Sequence, residues 1–383
     1  MVRSRTTLVG VVAGAVLSAL VAAPAVAFGN DFNGRGHGGG AAPPPVSGEP
    51  LRELADDADL AIGVAINTQA LRDDAEYRAI VEREFNSVTA ENVMKWEALE
   101  PERGSYDYSE ADYLVDFADD HDMAVRGHVL VWHNQLPSWL TTGYSNGDIT
   151  ADELRTILRE HVMETARHFR GDIYEWDVVN EYLADDGSVR STIWTQALGD
   201  DYIFDVFRWA RRADPRVKLY YNDYNLFFPG AKSDAAYELM QEFQRRNVPI
   251  DGIGFQGHVG LQYGLSTEVY DNMLRFSELG LDLSVTEADV RYPLPDDVYN
   301  VAAQGQGYHM LLQPCLLIAA CNSFTVWGVS DQYSWVPGFF DGEGNPLLFS
   351  DTYQPKPAYV AVQQDLALAG MADQRRTRIW PTP

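Results

Sequence analysis

Residues 173–181, IYEWDVVNE, read as a strand that turns polar where an apolar run would be expected to stop. Val178 and Val179 suit a fully buried strand, yet they lead straight into Asn180 and Glu181. An amide and a carboxylate fit there if many strand ends converge on one open face. The pattern repeats along the chain in LAIGVAIN (60–67), FNSVTAEN (85–92), AVRGHVLVWH (124–133), KLYYNDYN (218–225), GIGFQGHVG (252–260), DLSVTEADV (282–290) and FTVWGVSD (324–331). Between these runs lie stretches of helical period. LRTILREHVMETARHF (154–169) sets Leu154, Ile157, Leu158, His161, Val162 and Thr165 on one stripe, and AAYELMQEFQRR (235–246) does the same with Tyr237, Met240 and Phe243. Strand then helix, eight times over, predicts an α/β chain folded as a single (β/α)8 TIM barrel. The competing architecture, a doubly wound open sheet, calls for a glycine-rich phosphate turn after an early strand, and none is present.

The first 27 residues predict export. Arg3 and Arg5 precede an apolar run from Leu8 to Ala23, and Ala25-Val26-Ala27 supplies small residues for a cut, the form of a secretory signal peptide. Residues 28–50 are rich in Gly and Pro and read as a flexible linker. The folded domain is expected over 51–368, with 369–383 as a C-terminal tail. After signal cleavage the chain is expected to be secreted, extracellular and monomeric, with no membrane attachment. Net charge is −27, and loss of Arg3 and Arg5 makes it −29, which excludes nucleic acid and anionic membranes as partners. Four lysines against 35 aspartates read equally as tolerance of concentrated salt or as ordinary solubility in a GC-rich coding background. In an exported protein Cys315 and Cys321 are naturally assigned to a disulfide. His128 and His133 could be read as metal ligands, but an i, i+5 spacing on a strand would send them to opposite faces, so no metal or cofactor is expected.

Two strand-end glutamates carry the chemistry. Glu181 ends the fourth run and Glu287 the seventh. Facing each other across a barrel mouth, one can be kept as an acid and one as an anion. Cleavage of a glycosidic bond needs such a pair. Trp96, Trp132, Trp327 and Trp335 lie at or beyond strand ends, where indole faces can stack on pyranose rings.

VTAENVMKWEALEPERG, RGHVLVWHNQLPSW, WDVVNE, YYNDYN, GFQGHV, VTEADV and FTVWGVSDQYSW resemble, in order, the blocks of glycoside hydrolase family 10, retaining endo-β-1,4-xylanases on a (β/α)8 barrel. The resemblance runs from about Leu51 to about Leu366. It implies Glu181 as general acid/base and Glu287 as nucleophile, with xylan and xylo-oligosaccharides as substrates. It places Asn180 on the 2-hydroxyl of the sugar under attack and Gln256 beside both carboxylates. It pairs His258 with Asp289 so that the histidine bonds Glu287. Lys95, His128, Trp132 and Gln135 resemble contacts around the −1 sugar, and Glu91 and Asn92 contacts to the next sugar out. Trp327 and Trp335 resemble indoles that roof the −1 site and favour xylose over glucose in the family, while Tyr224 and Asn225 resemble aglycone-side contacts. Cys315 and Cys321 match a disulfide of many members. Three departures stand out: Tyr182 replaces a small residue and would narrow the cleft, DYNLFF lacks a following acid, and Ala288 replaces a larger aliphatic.

Overall fold

The computed structural model describes residues 48–264 and 266–379, so the expected signal peptide (1–27) and nearly all of the 28–50 linker lie outside the described residues. Eight parallel strands form the barrel: β1 (Ala61–Ile66), β2 (Ser87–Ala90), β3 (Ala124–Gly127), β4 (Ile173–Asn180), β5 (Lys218–Asp223), β6 (Gly252–Phe255), β7 (Asp282–Pro293) and β8 (Cys321–Val326). Each pairs with the next, and β8 pairs in parallel with β1, so the sheet closes. All eight polar-ended runs therefore contain a barrel strand.

The helices follow the expected stripes. Ala151–His168 buries Leu154, Ile157, Leu158, His161, Val162 and Thr165, and the Thr150 side chain caps it by accepting from Glu153 N. Ala231–Arg245 buries Met240 and Phe243, with Tyr237 half-buried. The last helix, Pro357–Ile379, runs past Leu368, so the expected 369–383 tail begins inside it. Before Pro381 only Gly370 interrupts the helix-forming residues there. Cys315 and Cys321 are disulfide-bonded, tying the end of helix Val298–Leu317 to the start of β8. Among the described residues no helix is long and apolar enough to cross a membrane.

Inside the barrel the filling is partly polar. Arg126 of β3, fully buried, pairs with Glu175 and Asp177 of β4, both buried, and its guanidinium stands 5.0 Å from the Tyr220 ring centroid. Room for Tyr220 comes from glycine: a Cβ on Gly252 would lie 2.4 Å from Tyr220 Cε1. At the top of β6 the chain turns at Gly257, whose φ of 86° suits glycine. It re-enters as a short strand, His258–Gly260, that pairs with the upper half of β7 and sets His258 opposite Asp289.

Candidate active site

Both carboxylate-bearing strands lose register near their upper ends: β4 against β5 between Asp177 and Val179, and β7 against β8 between Val285 and Ala288. Such bulges re-aim side chains at barrel rims. Asn180, Glu181 and Glu287 thereby open into a cleft of about 660 Å³ at the carboxyl ends of the strands. Three cleft residues hold left-handed backbones, Gln135 (φ 47°), Glu181 (φ 58°) and Asn225 (φ 57°). A non-glycine residue in such a region costs about 1–3 kcal/mol and persists where surrounding bonds fix it. For Glu181 one such bond runs from its N–H to Asn222 O, 2.9 Å.

The two glutamates sit in different surroundings. Glu287, 6% exposed, accepts from Asn222 Nδ2 at 2.7 Å and lies 3.0 Å from His258 Nε2. His258 Nδ1 is 2.7 Å from Asp289 Oδ2, which also accepts from Trp335 Nε1 at 2.9 Å. Burial works against the Glu287 anion, but the His258 hydrogen bond and the charges of His128 and His258 hold its carboxyl below the usual range. Burial likewise opposes the His258 cation, and Asp289 and Glu287 outweigh it, pushing that imidazole up to about 10. Glu181 has fewer partners. Gln256 Nε2 reaches its Oε1 at 3.4 Å, and His133 Nε2 stands 3.9 Å from its Oε2. Burial, then Arg190 and Lys232, push His133 down to about 4, so it is neutral near pH 7. Asn180 Oδ1 accepts from both Gln256 Nε2 (3.1 Å) and Asn222 Nδ2 (3.0 Å), which aims its amide N–H into the cleft side of the site.

At one end of the cleft Lys95 Nζ donates to Asn92 Oδ1 (3.0 Å) and Gln135 Oε1 (2.7 Å). Burial pulls Lys95 down from its ordinary value against Glu287, Glu91 and Glu181, and burial pushes Glu91 up against Lys95. Trp132 lies with its ring centroid 5.1 Å from that ammonium. Trp327 meets His128 edge-on at 5.2 Å and Trp335 meets His258 at 5.0 Å, forming an indole wall. Tyr224 and Asn225 also line the cleft, and the Tyr224 hydroxyl accepts from Arg190 Nη2 at 2.8 Å.

A family model described as Glycosyl hydrolase family 10 matches residues 50–365. Endo-1,4-beta-xylanase B of Thermotoga neapolitana is 43% identical over 319 residues, 82% of this chain and 91% of that protein. The crystal structure of native xylanase 10B from Thermotoga maritima matches with a TM-score of 0.81 at 41% identity, covering 84% of this chain and 99% of that one. Xylanase 10B from Thermotoga petrophila in complex with xylobiose gives a TM-score of 0.81 at 40% identity, covering 85% and 100%. The chain belongs to glycosyl hydrolase family 10.

As a family 10 glycoside hydrolase, the chain brings its sequence-predicted residues together almost completely. Glu91, Asn92, Lys95, His128, Trp132, Gln135, Asn180, Glu181, Tyr224, Asn225, Gln256, His258, Glu287, Trp327 and Trp335 line one cleft, and Asp289 stands behind His258. Two aromatic expectations change. Trp96 lies in the core, stacked on His161 (3.7 Å) and near Trp194 (5.4 Å), because the residues after β2 turn inward as helix Trp96–Leu99. Tyr182 does not narrow the cleft: it is buried, and its hydroxyl donates to Asp200 O at 3.1 Å.

The family 10 cleft also contains residues that strand-end reading missed. Arg190 comes from the loop after β4, and Phe339 and Phe340 from the loop after β8. WVPGFF (335–340) carried an aromatic signal, whereas nothing local marked Arg190. His128 and His133 share the cleft rather than opposite faces, because β3 ends at Gly127 and period-two alternation does not extend to them. One trio of metal-type donors, His128, Asp177 and Glu287, comes within 4.8 Å among the described residues. Its ligand atoms are already engaged: Asp177 with Arg126 and His128, Glu287 with Asn222 and His258. With the Arg126 guanidinium on Asp177, the trio suits a hydrogen-bond relay better than a cation.

Proposed function

We propose that the chain is a secreted endo-1,4-β-xylanase that cleaves internal β-1,4-xylosidic bonds with retention of configuration. The observation that carries the reading is the unequal pair at one cleft: Glu287 bonded as an anion, and Glu181 bonded only weakly. Relatives named endo-1,4-beta-xylanases and a neighbour solved with xylobiose supply the substrate class. In the first step Glu287 attacks the anomeric carbon, the C1–O bond breaks, and Glu181 protonates the departing oxygen. In the second, Glu181 takes a proton from water, the hydroxide attacks the same carbon, and Glu287 leaves. Asn180 is placed to bond the 2-hydroxyl as charge develops, and Trp327 and Trp335 crowd the position of a hydroxymethyl group. The disulfide and the N-terminal Arg3, Arg5 and apolar run support export.

Two measurements test this. Proton NMR of an aryl β-xylobioside digest should show the β-anomer first, and an α-anomer first would overturn retention. Glu287→Ala should lose more than about 10^4-fold in turnover while keeping its circular dichroism. Turnover near the parental rate would remove the assignment. Faster cleavage of an aryl cellobioside than of the xylobioside would make the chain a cellulase instead.

A further inference from the structure

We propose that Arg190 is a positioning residue for the general acid: one guanidinium locks the backbone that carries Glu181 to the phenol of Tyr224. The proposal rests on reading Glu181 as the acid/base. Arg190 Nε donates to Glu181 O (3.0 Å), and Nη2 donates to Leu183 O (2.8 Å) and to Tyr224 OH (2.8 Å). Its own backbone N–H donates to Tyr182 O at 2.9 Å. Three consecutive carbonyls, 181 to 183, thus end on one residue.

The arrangement is specific in three ways. Glu181 has a left-handed backbone (φ 58°), which needs outside support, and the Nε bond falls on its own carbonyl. Arg190 makes no ion pair with a carboxylate among the described residues, so its donors go to carbonyls and a phenol, a geometric use of a planar fork. Arg190 is itself anchored, since Thr195 Oγ1 donates to its carbonyl at 2.9 Å and residues 184–188 close a small loop through Ala184 N to Ser188 O at 2.8 Å. On the far partner, Lys232 Nζ stands 3.2 Å from the Tyr224 ring centroid and 2.8 Å from Asp223 Oδ1. Tyr224 is therefore a fixed post, and Arg190 ties the acid to it. The nearby positive charge also helps keep His133 neutral beside Glu181.

The test is a comparison of leaving groups. Dinitrophenoxide departs with little protonation, whereas phenoxide needs the acid, and kcat/KM reports the first irreversible step for each β-xylobioside. Arg190→Met should lower kcat/KM on the phenyl substrate by about 30- to 100-fold and on the dinitrophenyl substrate by less than about threefold. Arg190→Lys should recover part of the phenyl loss, because its ammonium can still reach a carbonyl. Equal losses on both substrates, or no loss on either, would overturn the proposal and leave Arg190 a merely structural residue or a bystander. Glu181→Ala is measured alongside. If it shows no leaving-group dependence, the acid/base reading fails first. Covalent labelling with a fluorinated xylobioside counts intact sites. Should Arg190→Met not fold, the same phenyl-to-dinitrophenyl ratio in Arg190→Lys decides.

Discussion

His258 stands between two carboxylates, and its replacement removes a hydrogen bond and a positive charge from Glu287 together. Its folded pKa of about 10 exceeds the ordinary 6.5, so its stabilising contribution is full below about 6.5 and is lost as pH rises through about 10. Glu287 runs the other way: held below 4.5, it stabilises above that value and loses the contribution as pH falls through its depressed pKa. His258→Asn should therefore shift the acid limb of the kcat/KM profile toward neutral and cut the plateau by about 10²-fold. An acid limb that stays in place would show that His258 does not hold the nucleophile ionised. At this scale the sequence was legible where a functional side chain ends a strand, because strand register fixes its direction. Arg190 was not, and Phe339 and Phe340 only through the aromatic run 335–340, because they reach the cleft from segments whose course no periodicity records. Trp96 misled for the same reason: the chain beyond β2 folds inward, and a tryptophan there is core.

Elements were legible through their outer faces. Val178, Val179, Ile253 and Leu283 marked buried strands, and all eight runs contain a strand. The inner faces were harder to read, because Arg126, Glu175, Asp177 and Asn222 look like strand-breaking residues and instead fill the barrel. Arg126 neutralises two buried carboxylates at once, and through Asp177 it orients His128, whose Nδ1 lies 4.0 Å from Glu287 Oε1. Burial opposes the Asp177 anion, and Arg126 with His128 outweighs it to hold that carboxyl below its ordinary value. Removing one partner of a buried ion pair leaves uncompensated charge, so Arg126→Met should cost about 3–5 kcal/mol in urea unfolding. The fall in stability should shrink at acid pH, where Asp177 can take up a proton. A variant as stable as the parent at pH 7 would mean the interior is wetter than its packing implies.

For the whole molecule the dominant electrostatic fact is surplus negative charge, 56 acidic against 29 basic residues. Lysine does little to offset it outside. Lys95 and Lys232 are buried at 7% and 3%, Lys356 pairs with Asp331 at 2.8 Å with its side chain 10% exposed, and Lys218 alone of the four is half-exposed, at 51%. At low ionic strength this surplus repels itself across the compact fold. Salt also weakens surface pairs such as Arg103–Glu153, whose side chains are 52% and 38% exposed, but such pairs contribute only about 0–1 kcal/mol each. The buried Asp223–Lys232 and Asp331–Lys356 pairs are screened much less. Screening should therefore relieve more repulsion than it removes attraction. The midpoint of thermal unfolding should rise by a few degrees from low salt to molar NaCl, with about 2–4 °C per kcal/mol gained. Most of the rise should come below about 0.3 M, where the Debye length is falling fastest. A linear rise continuing to several molar would point to general salt exclusion rather than charge, and a falling midpoint would show that surface pairs outweigh the repulsion.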